Sequence, residues 1–326
     1  MAGGIEWIDV HVHLIADRMT SDYRGAVGAA LTAMDEAAIT KVVVMPPPQP
    51  AGAGAIEIDA FVAALAPRAR FAVLGGGGSL NGMIQDTKPD AVDDAVRRSF
   101  EARANDIIRQ GAVGFGEITA HHLSHAPGHP YERSEPDHPL FLLLADVAAR
   151  HNAVIDFHFD LVTEETKAPE WMSVPPNPPT FRANLPAFER LLEHNRGARI
   201  VWAHAGSDML GWWTADLSRR LLAKHPNLSM SLRMVPGRAP QNHPLGPDGA
   251  VKPEWLSVFQ EFPDRFVIGG DQFFVSPSVR GGGPAMSFAQ RAPMARQRTR
   301  AFLAALPPDL ARKIATENAI RLYKLE

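Results

Sequence analysis

Six side chains of the types that bind divalent metals stand at the ends of short apolar segments. Two are the histidines of the segment IDVHVHL, and the full set is His11, His13, Glu117, His158, His204 and Asp271. Neutral imidazoles and carboxylates are the ligands that zinc and similar cations take in proteins. If the apolar segments are strands of one sheet, their ends meet at one edge, and the six side chains predict a metal site there.

Each of these residues alone is a weak signal. His11 and His13 are two residues apart, so on a strand both rings point to one face and can share a cation. A lone histidine at a strand end is more often structural, Glu117 alone could be a solvated acid, and Asp271 alone could be a helix N-cap. The shared position of all six favours metal binding. Asp9, on the face of the histidine pair, is expected to hold a histidine tautomer.

Apolar segments alternate with amphipathic segments along the whole chain. The predicted strands are residues 5–12, 41–45, 71–74, 112–118, 153–159, 199–203, 227–234 and 265–269. The predicted helices are residues 25–38, 56–66, 89–110, 139–151, 185–195, 212–224, 253–262 and 286–306. Eight alternating pairs predict an α/β fold, a (β/α)8 TIM barrel with its site at the C-terminal ends of the strands. We expect one domain over residues 1–326, with a helical segment at 309–325 packed on the barrel.

Composition narrows the class of function. The 326-residue chain has a formal net charge of −3 and no basic stripe, so nucleic acid is not an expected partner. It has no cysteine, which excludes disulfides, thiolate ligands and a cysteine nucleophile. No apolar stretch approaches the roughly 20 residues of a membrane helix. We expect a cytoplasmic protein that acts on a small molecule. A removed export signal and a homo-oligomer are both compatible with the sequence.

Two long connections follow predicted strands and are therefore expected at the rim of the site, as lids or substrate walls. They cover residues 119–137, which hold four histidines, and residues 160–184, which include the proline-rich PPNPP. His121 and His122 are expected to line the pocket. Arg233, at the end of the seventh strand, and Arg182, in the second connection, could bind a carboxylate or phosphate through the planar guanidinium. For both, the competing interpretation is a surface arginine.

The pattern as a whole resembles the amidohydrolase superfamily and, more closely, its amidohydrolase-related (family 2) branch. The resemblance rests on D-x-H-x-H at residues 9–13, the His158 and His204 strand ends, G-G-D at residues 269–271 and E-N-A-I-R-L-Y at residues 317–323. It implies a distorted (β/α)8 barrel with one or two divalent metals, usually zinc.

The resemblance also implies roles for the six residues. His11, His13 and Asp271 would hold one metal, and His158 and His204 would hold a second, with Glu117 as the bridge. Many members of the superfamily carry a carbamylated lysine where this chain has Glu117, and many branch members use a single metal. Because the full ligand set is present here, two ions are favoured.

The expected activity is metal-dependent hydrolysis of a small-molecule carboxylic ester, lactone or amide by a metal-activated hydroxide. Asp271 would act as general base and then general acid, and His204 would contact the substrate oxygen if one metal is bound. The alternatives are a decarboxylase or hydratase of a small carboxylic acid, a phosphoester hydrolase and, last, a non-catalytic binding barrel.

Overall fold

Eight parallel strands close into a barrel in the computed structural model, which describes residues 5–17, 19–48, 56–124, 131–173, 176–205, 208–235, 239–281 and 284–325. The strands are β1 (Trp7–Ile15), β2 (Ile39–Val44), β3 (Phe71–Gly76), β4 (Gly114–Thr119), β5 (Val154–His158), β6 (Arg199–Ala205), β7 (Leu228–Leu232) and β8 (Phe266–Ile268). Neighbours in sequence are neighbours in the sheet, and β8 returns to pair with β1. A further strand, β9 (Gln272–Val275), continues along β1. The predicted (β/α)8 TIM barrel is confirmed.

The helices are α1 (Tyr23–Ala37), α2 (Leu80–Asp86), α3 (Asp94–Arg109), α4 (Pro139–His151), α5 (Leu185–His194), α6 (Ala215–Lys224), α7 (Pro253–Glu261), α8 (Pro284–Ala304), α9 (Pro308–Arg312) and α10 (Asn318–Tyr323). Helices α1 to α7 lie between the strands, and α8 to α10 follow the last strand. None of the helices in the described part of the chain is both long and apolar enough to cross a membrane.

Two helix predictions were wrong in detail. The predicted helix at residues 56–66 is instead two short 3₁₀ turns, Ile58–Ala60 and Val62–Ala64. The helix predicted from residue 89 begins later, because the carboxylate of Asp93 accepts a hydrogen bond from the backbone N–H of Val96 and caps it there. Helix α2 was not predicted, since it follows directly on the glycines after β3.

The apolar core has two layers. The outer layer lies between the strands and the helices. The inner layer fills the barrel and is formed mainly by one residue or two from each of several strands: Ile8, Val10, Val43, Met45, Leu74, Val154, Val201 and Val267. Helix α10 closes the floor of this layer with Ala319, Leu322 and Tyr323, the last of which is fully buried. Complete burial of such side chains contributes about 1.5–3 kcal/mol each.

Three of the strands that carry candidate ligands are irregular near the ligand. Register shifts occur between Asp9 and Val12 in β1, in β4 before Ile118, and in β6 after Trp202. An extra residue at such a point breaks the alternation of side chains and re-aims those that follow. Phe115 in β4 and Ile200 and Trp202 in β6 lie before these shifts and pack in the outer layer. Glu117 and His204 lie within the shifted segments, and their side chains meet at the mouth of the barrel.

The two long connections pack against each other at the C-terminal mouth of the barrel. Asn177 accepts a hydrogen bond from the backbone N–H of Ser124 and donates one to the Ser124 carbonyl. The backbone N–H of Leu123 donates to the Asp160 carboxylate at 2.7 Å. A small apolar cluster fills the space between the connections: Leu123, Val162, Met172 and Phe181. Two of the four histidines in the first connection, His125 and His129, and the first proline of PPNPP, Pro175, lie outside the described residues.

Candidate metal centre

The six predicted ligands meet at the C-terminal mouth of the barrel. Three sets of three place one ligand atom from each residue within 4.8 Å of the others. The sets are His11, His204 and Asp271; His11, His13 and Glu117; and Glu117, His158 and His204. Because the sets share His11, Glu117 and His204, they form one continuous cluster.

Three imidazole nitrogens face one another in the middle of this cluster. His11 Nε2 lies 3.2 Å from His13 Nε2 and 3.0 Å from His204 Nε2. On the far side of its ring, His13 Nδ1 lies 3.0 Å from the Met45 carbonyl oxygen, which only accepts, so the ring proton belongs on Nδ1. The Nε2 atom of His13 then presents a bare lone pair to its neighbours.

His11 is oriented in the same way, by a carboxylate. Its Nδ1 lies 3.0 Å from Asp156 Oδ1, deep in the barrel, where both side chains are fully buried. Two bare nitrogens at hydrogen-bond distance repel each other unless a cation lies between them. The donor set therefore fits a divalent metal, and the Asp156–His11 pair is the arrangement that holds a metal-ligating histidine in one tautomer. We had expected Asp9 in that role, and this was wrong.

Asp9 instead fixes the strand ends. Its carboxylate accepts hydrogen bonds from the backbone N–H groups of His11 at 3.1 Å and Gly270 at 2.8 Å, and it also accepts one from the Gln272 amide at 2.5 Å. These contacts tie β1 to the segment that carries Asp271. Burial raises the pKa of Asp9 to about 6, although the hydrogen bonds from Gly270 and Gln272 act in the opposite direction.

Glu117 divides its two oxygens between the two halves of the cluster. Oε2 lies 3.4 Å from His11 Nε2 and 3.3 Å from His13 Nε2. Oε1 lies 2.7 Å from His158 Nδ1 and 3.9 Å from His204 Nε2. Burial raises the pKa of Glu117, but the surrounding histidines outweigh it and hold that pKa well below its usual range. An ionised carboxylate shared in this way is suited to bridge two cations.

Asp271 faces the same cluster from the short segment between β8 and β9. Its Oδ1 atom lies 3.5 Å from His13 Nε2 and 3.9 Å from His204 Nε2. Its Oδ2 atom lies 3.0 Å from Nη1 of Arg233. Burial raises the pKa of Asp271, but Arg233 and the histidines outweigh it and hold that pKa far below its usual range.

Strained backbone and close packing aim two of these ligands. His204 and Asp271 have φ values of 56° and 47°, in the left-handed region that residues other than glycine seldom adopt. The backbone N–H of His204 donates to Ser231 Oγ at 3.1 Å. That serine needs Gly269 beside it, since a Cβ at residue 269 would lie 2.6 Å from Ser231 Oγ and 3.2 Å from His11 Cβ.

His158 has a carboxylate on each side of its ring. Besides Glu117 at Nδ1, Asp160 Oδ2 lies 3.6 Å from its Nε2. Burial lowers the pKa of His158, but Asp160 and Glu117 outweigh it and raise that pKa to about 10. Without a cation the ring would hold a proton at neutral pH, so a metal must displace that proton to bind here.

The four predicted substrate-binding residues lie at different depths. His121 is buried in the rim, with Nδ1 2.9 Å from the Asn184 amide nitrogen and 3.1 Å from the Asp160 carbonyl oxygen. The ring of His122 is half-buried and lies 4.7 Å from that of His158, centroid to centroid. Arg233 is half-buried beside Asp271, as described above. Arg182 is exposed, and its charge acts on Tyr131 and Glu135.

Sequence reasoning missed four residues around the cluster. They are Asp156, Asp160, Glu132 and Asn81. Asp156 carried a usable signal, since it stands two residues before His158 on the same strand and face. Asp160 lies on a loop, Glu132 on a two-residue strand of the first long connection and Asn81 on an unpredicted helix, where no periodicity indicates which way a side chain points.

The barrel and the cluster at its mouth together define a (β/α)8 protein with a candidate metal centre. More particularly, the chain belongs to the amidohydrolase family, whose model (Amidohydro_2) matches residues 8–325. The chain is therefore an enzyme, a hydrolase, of a family whose members generally depend on divalent metals. No curated protein matches the chain in a comparison of sequences.

Similar solved structures agree on the fold. The apo structure of the Agrobacterium tumefaciens protein ATU3138 is 16% identical, with a TM-score of 0.51 over 98% of this chain and 94% of that one. A triazine hydrolase variant is 14% identical, with a TM-score of 0.50 over 99% of this chain and 71% of that one. At these identities the likeness concerns the barrel alone.

Proposed function

We propose that this amidohydrolase hydrolyses a small-molecule carboxylic ester, lactone or amide with two zinc ions per chain. The observation that carries the proposal is the divided carboxylate of Glu117, with one oxygen facing His11 and His13 and the other facing His158. A ligand set of imidazoles and carboxylates suits zinc, and a bridging carboxylate suits a pair of ions. His11, His13 and Asp271 would hold one ion and His158 and His204 the other.

When bound, such ions lower the pKa of a coordinated water and polarise the carbonyl oxygen of a substrate. The chain's own residues supply the remaining work. Asp271 Oδ1 faces the centre and is placed to accept a proton from the attacking water. Because Arg233 lowers its proton affinity, Asp271 would release that proton again quickly.

Arg233 also bears on substrate choice. Its guanidinium lies over the Phe288 ring at 5.3 Å from the centroid, and Phe288 stacks on Phe273 at 5.1 Å. Phe273 in turn lies 4.7 Å from the ring of His13. A cation and two aromatic rings beside the centre favour a small substrate with an apolar part and an acceptor oxygen over a strongly cationic one.

Metal analysis combined with a substrate panel tests the proposal. The protein is stripped with a chelator, reconstituted with Zn²⁺, and its metal content is measured by plasma mass spectrometry. We expect two ions per chain and hydrolysis of at least one ester, lactone or amide in the panel. A single ion per chain, with decarboxylation or hydration of small acids in place of hydrolysis, would overturn the proposal in favour of a lyase.

A further inference from the structure

A buried amide lies next to Asp271 and is engaged at both of its ends. Gln272 follows Asp271 directly in the chain, at the start of β9, and only 2% of its surface is exposed. Its Nε2 donates a hydrogen bond to Asp9 Oδ2, and its Oε1 accepts one from Arg296 Nη1 at 2.9 Å. Helix α8 is therefore connected to β1 through the side chain of the residue beside a candidate ligand.

The direction of this amide is fixed by the arginine. A guanidinium only donates hydrogen bonds, so the atom of Gln272 that faces Arg296 must be the oxygen. The N–H₂ group then points at the carboxyl oxygen of Asp9, which accepts from it. Without the guanidinium, the two ends of the amide would no longer be distinguished on that side, and the hydrogen bond to Asp9 would lose its fixed direction.

Asp9 also holds the chain on the other side of Asp271. Its Oδ1 atom accepts hydrogen bonds from the backbone N–H groups of Gly270 at 2.8 Å and of His11 at 3.1 Å. The approach is so close that a Cβ at residue 270 would lie 2.5 Å from Asp9 Oδ2. Asp271 thus stands between two residues, Gly270 and Gln272, that both bond to the same buried carboxyl group.

These contacts account for the backbone conformation of Asp271. Its φ of 47° lies in the left-handed region, which a residue other than glycine keeps only where its surroundings hold it there. In that conformation Asp271 Oδ1 lies 3.5 Å from His13 Nε2, at the candidate centre. Since Asp9 holds the N–H of His11 as well, its contacts position two of the residues that meet there.

Arg296 is the part of this arrangement that comes from outside the barrel. It is half-buried on α8, and the charge of Asp9 acts on it across the amide. A hydrogen bond from a charged donor is stronger than one between neutral groups, so the guanidinium holds Gln272 more firmly than a neutral donor would. Arg298, on the same helix, donates from Nε to the Met234 carbonyl oxygen at 3.1 Å and fixes α8 at a different point.

We infer that Arg296 is a positioning residue for Asp271, on which it acts through the Gln272 amide and the Asp9 carboxyl group. The inference rests on the proposed function in one respect, namely that an ion binds where His11, His13 and Asp271 meet. Loss of Arg296 would leave all six candidate ligands in the chain but would let Asp271 turn away from the centre. The ion held there would then bind less tightly, while the barrel keeps its fold.

Competition between the protein and a chromogenic chelator for Zn²⁺ tests this role. We expect Arg296→Met, which keeps an apolar stem, to weaken the binding of one ion by about 10- to 100-fold, with metal content at saturation unchanged. Gln272→Leu should cause a similar loss. The double variant should lose no more than either single variant, because the two residues act in one chain of contacts. Arg298→Met removes the other contact of α8 and is the matched control, with an expected change of less than about threefold.

A measurement on the metal-free protein separates this inference from the proposed function. Hydrogen exchange at the Gly270 amide reports whether its bond to Asp9 is kept. In the chelated protein, Arg296→Met and Gln272→Leu should each speed exchange in the peptide that covers residues 269–275 by about tenfold or more, and Arg298→Met should not.

Two results would overturn the role of Arg296. One is unchanged exchange in both Arg296→Met and Gln272→Leu. The other is an equal loss of Zn²⁺ affinity in Arg298→Met, which would show that docking of α8 as a whole is what matters. A wild type that binds no Zn²⁺, with faster exchange in Arg296→Met and Gln272→Leu, would count against the proposed metal centre and still support Arg296 as the residue that holds the Asp271 segment.

Discussion

Arg233 and Asp271 form an ion pair at the rim of the barrel, with Nη1 of the arginine 3.0 Å from Oδ2 of the aspartate. The other carboxylate oxygen faces His13 and His204. Asp271 is thus shared between the candidate metal centre and a fixed positive charge. This sharing keeps the carboxylate ionised and makes it a weak base, so its chemical role differs from that of an isolated strand-end aspartate.

Replacement of Asp271 by Asn should remove the proton acceptor while leaving most of the ligand set intact. We expect metal content close to that of wild type and a fall in kcat of about 10²- to 10⁴-fold, the usual contribution of a general base. Metal analysis and steady-state kinetics on the same sample check this. Asp216→Asn, on the exposed face of α6, is the control. Full turnover in the Asp271 variant, with metal present, would contradict the role.

Replacement of Arg233 by Gln should move the acidic limb of the pH–rate profile. Asp271 works as the carboxylate, so activity is present above its pKa and is lost as pH falls through that value. Loss of the guanidinium charge raises the pKa of Asp271 toward its ordinary value, and the limb moves to higher pH. Arg233→Lys keeps a charge near the site and should shift the limb less. An unchanged limb in the Gln variant would refute the electrostatic role of Arg233.

Replacement of His158 by Ala should reduce the number of ions bound. The His158 ring lies beside one of the two carboxylate oxygens of Glu117, with His158 Nδ1 2.7 Å from Glu117 Oε1. We expect the zinc content to fall from two ions per chain to about one. His122→Ala removes the neighbouring ring, 4.7 Å away and outside the ligand sets, and should leave the zinc content unchanged. Equal effects of the two substitutions would count against a second metal position.

Replacement of Asp156 by Asn should weaken metal binding without touching a ligand. The carboxylate faces His11 Nδ1 at 3.0 Å and fixes its tautomer. Loss of such a partner typically lowers metal affinity by about 10- to 100-fold. Competition with a chromogenic chelator measures the change. Asp146 forms a similar pair with His194 Nε2 at 3.1 Å on the protein surface, so Asp146→Asn is a matched control with no expected effect on affinity.

Introduction of a single methyl group at Gly269 should destabilise the protein. The new Cβ would lie 2.7 Å from Ser231 Cβ, a contact that the packed barrel cannot absorb without movement. We expect Gly269→Ala to lower the free energy of unfolding by about 1–3 kcal/mol. Urea unfolding of the chelated protein measures it. The double variant with Ser231→Gly should recover part of this loss; no recovery would place the strain elsewhere.

The sequence was sufficient for the barrel and for the convergence of the six candidate ligands, because both follow from simple patterns. Strand β5 illustrates this: Val154, Asp156 and His158 all point inward, as alternation predicts. In β1, β4 and β6 the register shifts break the alternation just before the ligands. A bulge has no reliable signature in one sequence, so alternation could not predict that Phe115 packs in the outer layer while Glu117, two residues on, reaches the mouth of the barrel.

The residues that contact and orient the candidate ligands were harder to predict from the sequence, for a different reason. Asp9 and Asp156 both precede a histidine by two residues on a strand, and alternation cannot tell which of them faces an imidazole nitrogen. Glu132 and Asn81 meet only because a long connection folds back over α2. Contacts of this kind depend on loop conformation, which short-range pattern does not determine.

Tyr323 connects the floor of the barrel to the residues that orient the candidate ligands. It is fully buried under the strands, and its hydroxyl faces the same Asp156 that orients His11, since burial and the charge of Asp156 both raise the pKa of Tyr323. Helix α10 therefore covers the buried side of the Asp156–His11 pair. If α10 detached from the strands, water would enter from below and solvate Asp156, and the His11 ring could then rotate. We therefore expect metal affinity to fall before the barrel unfolds.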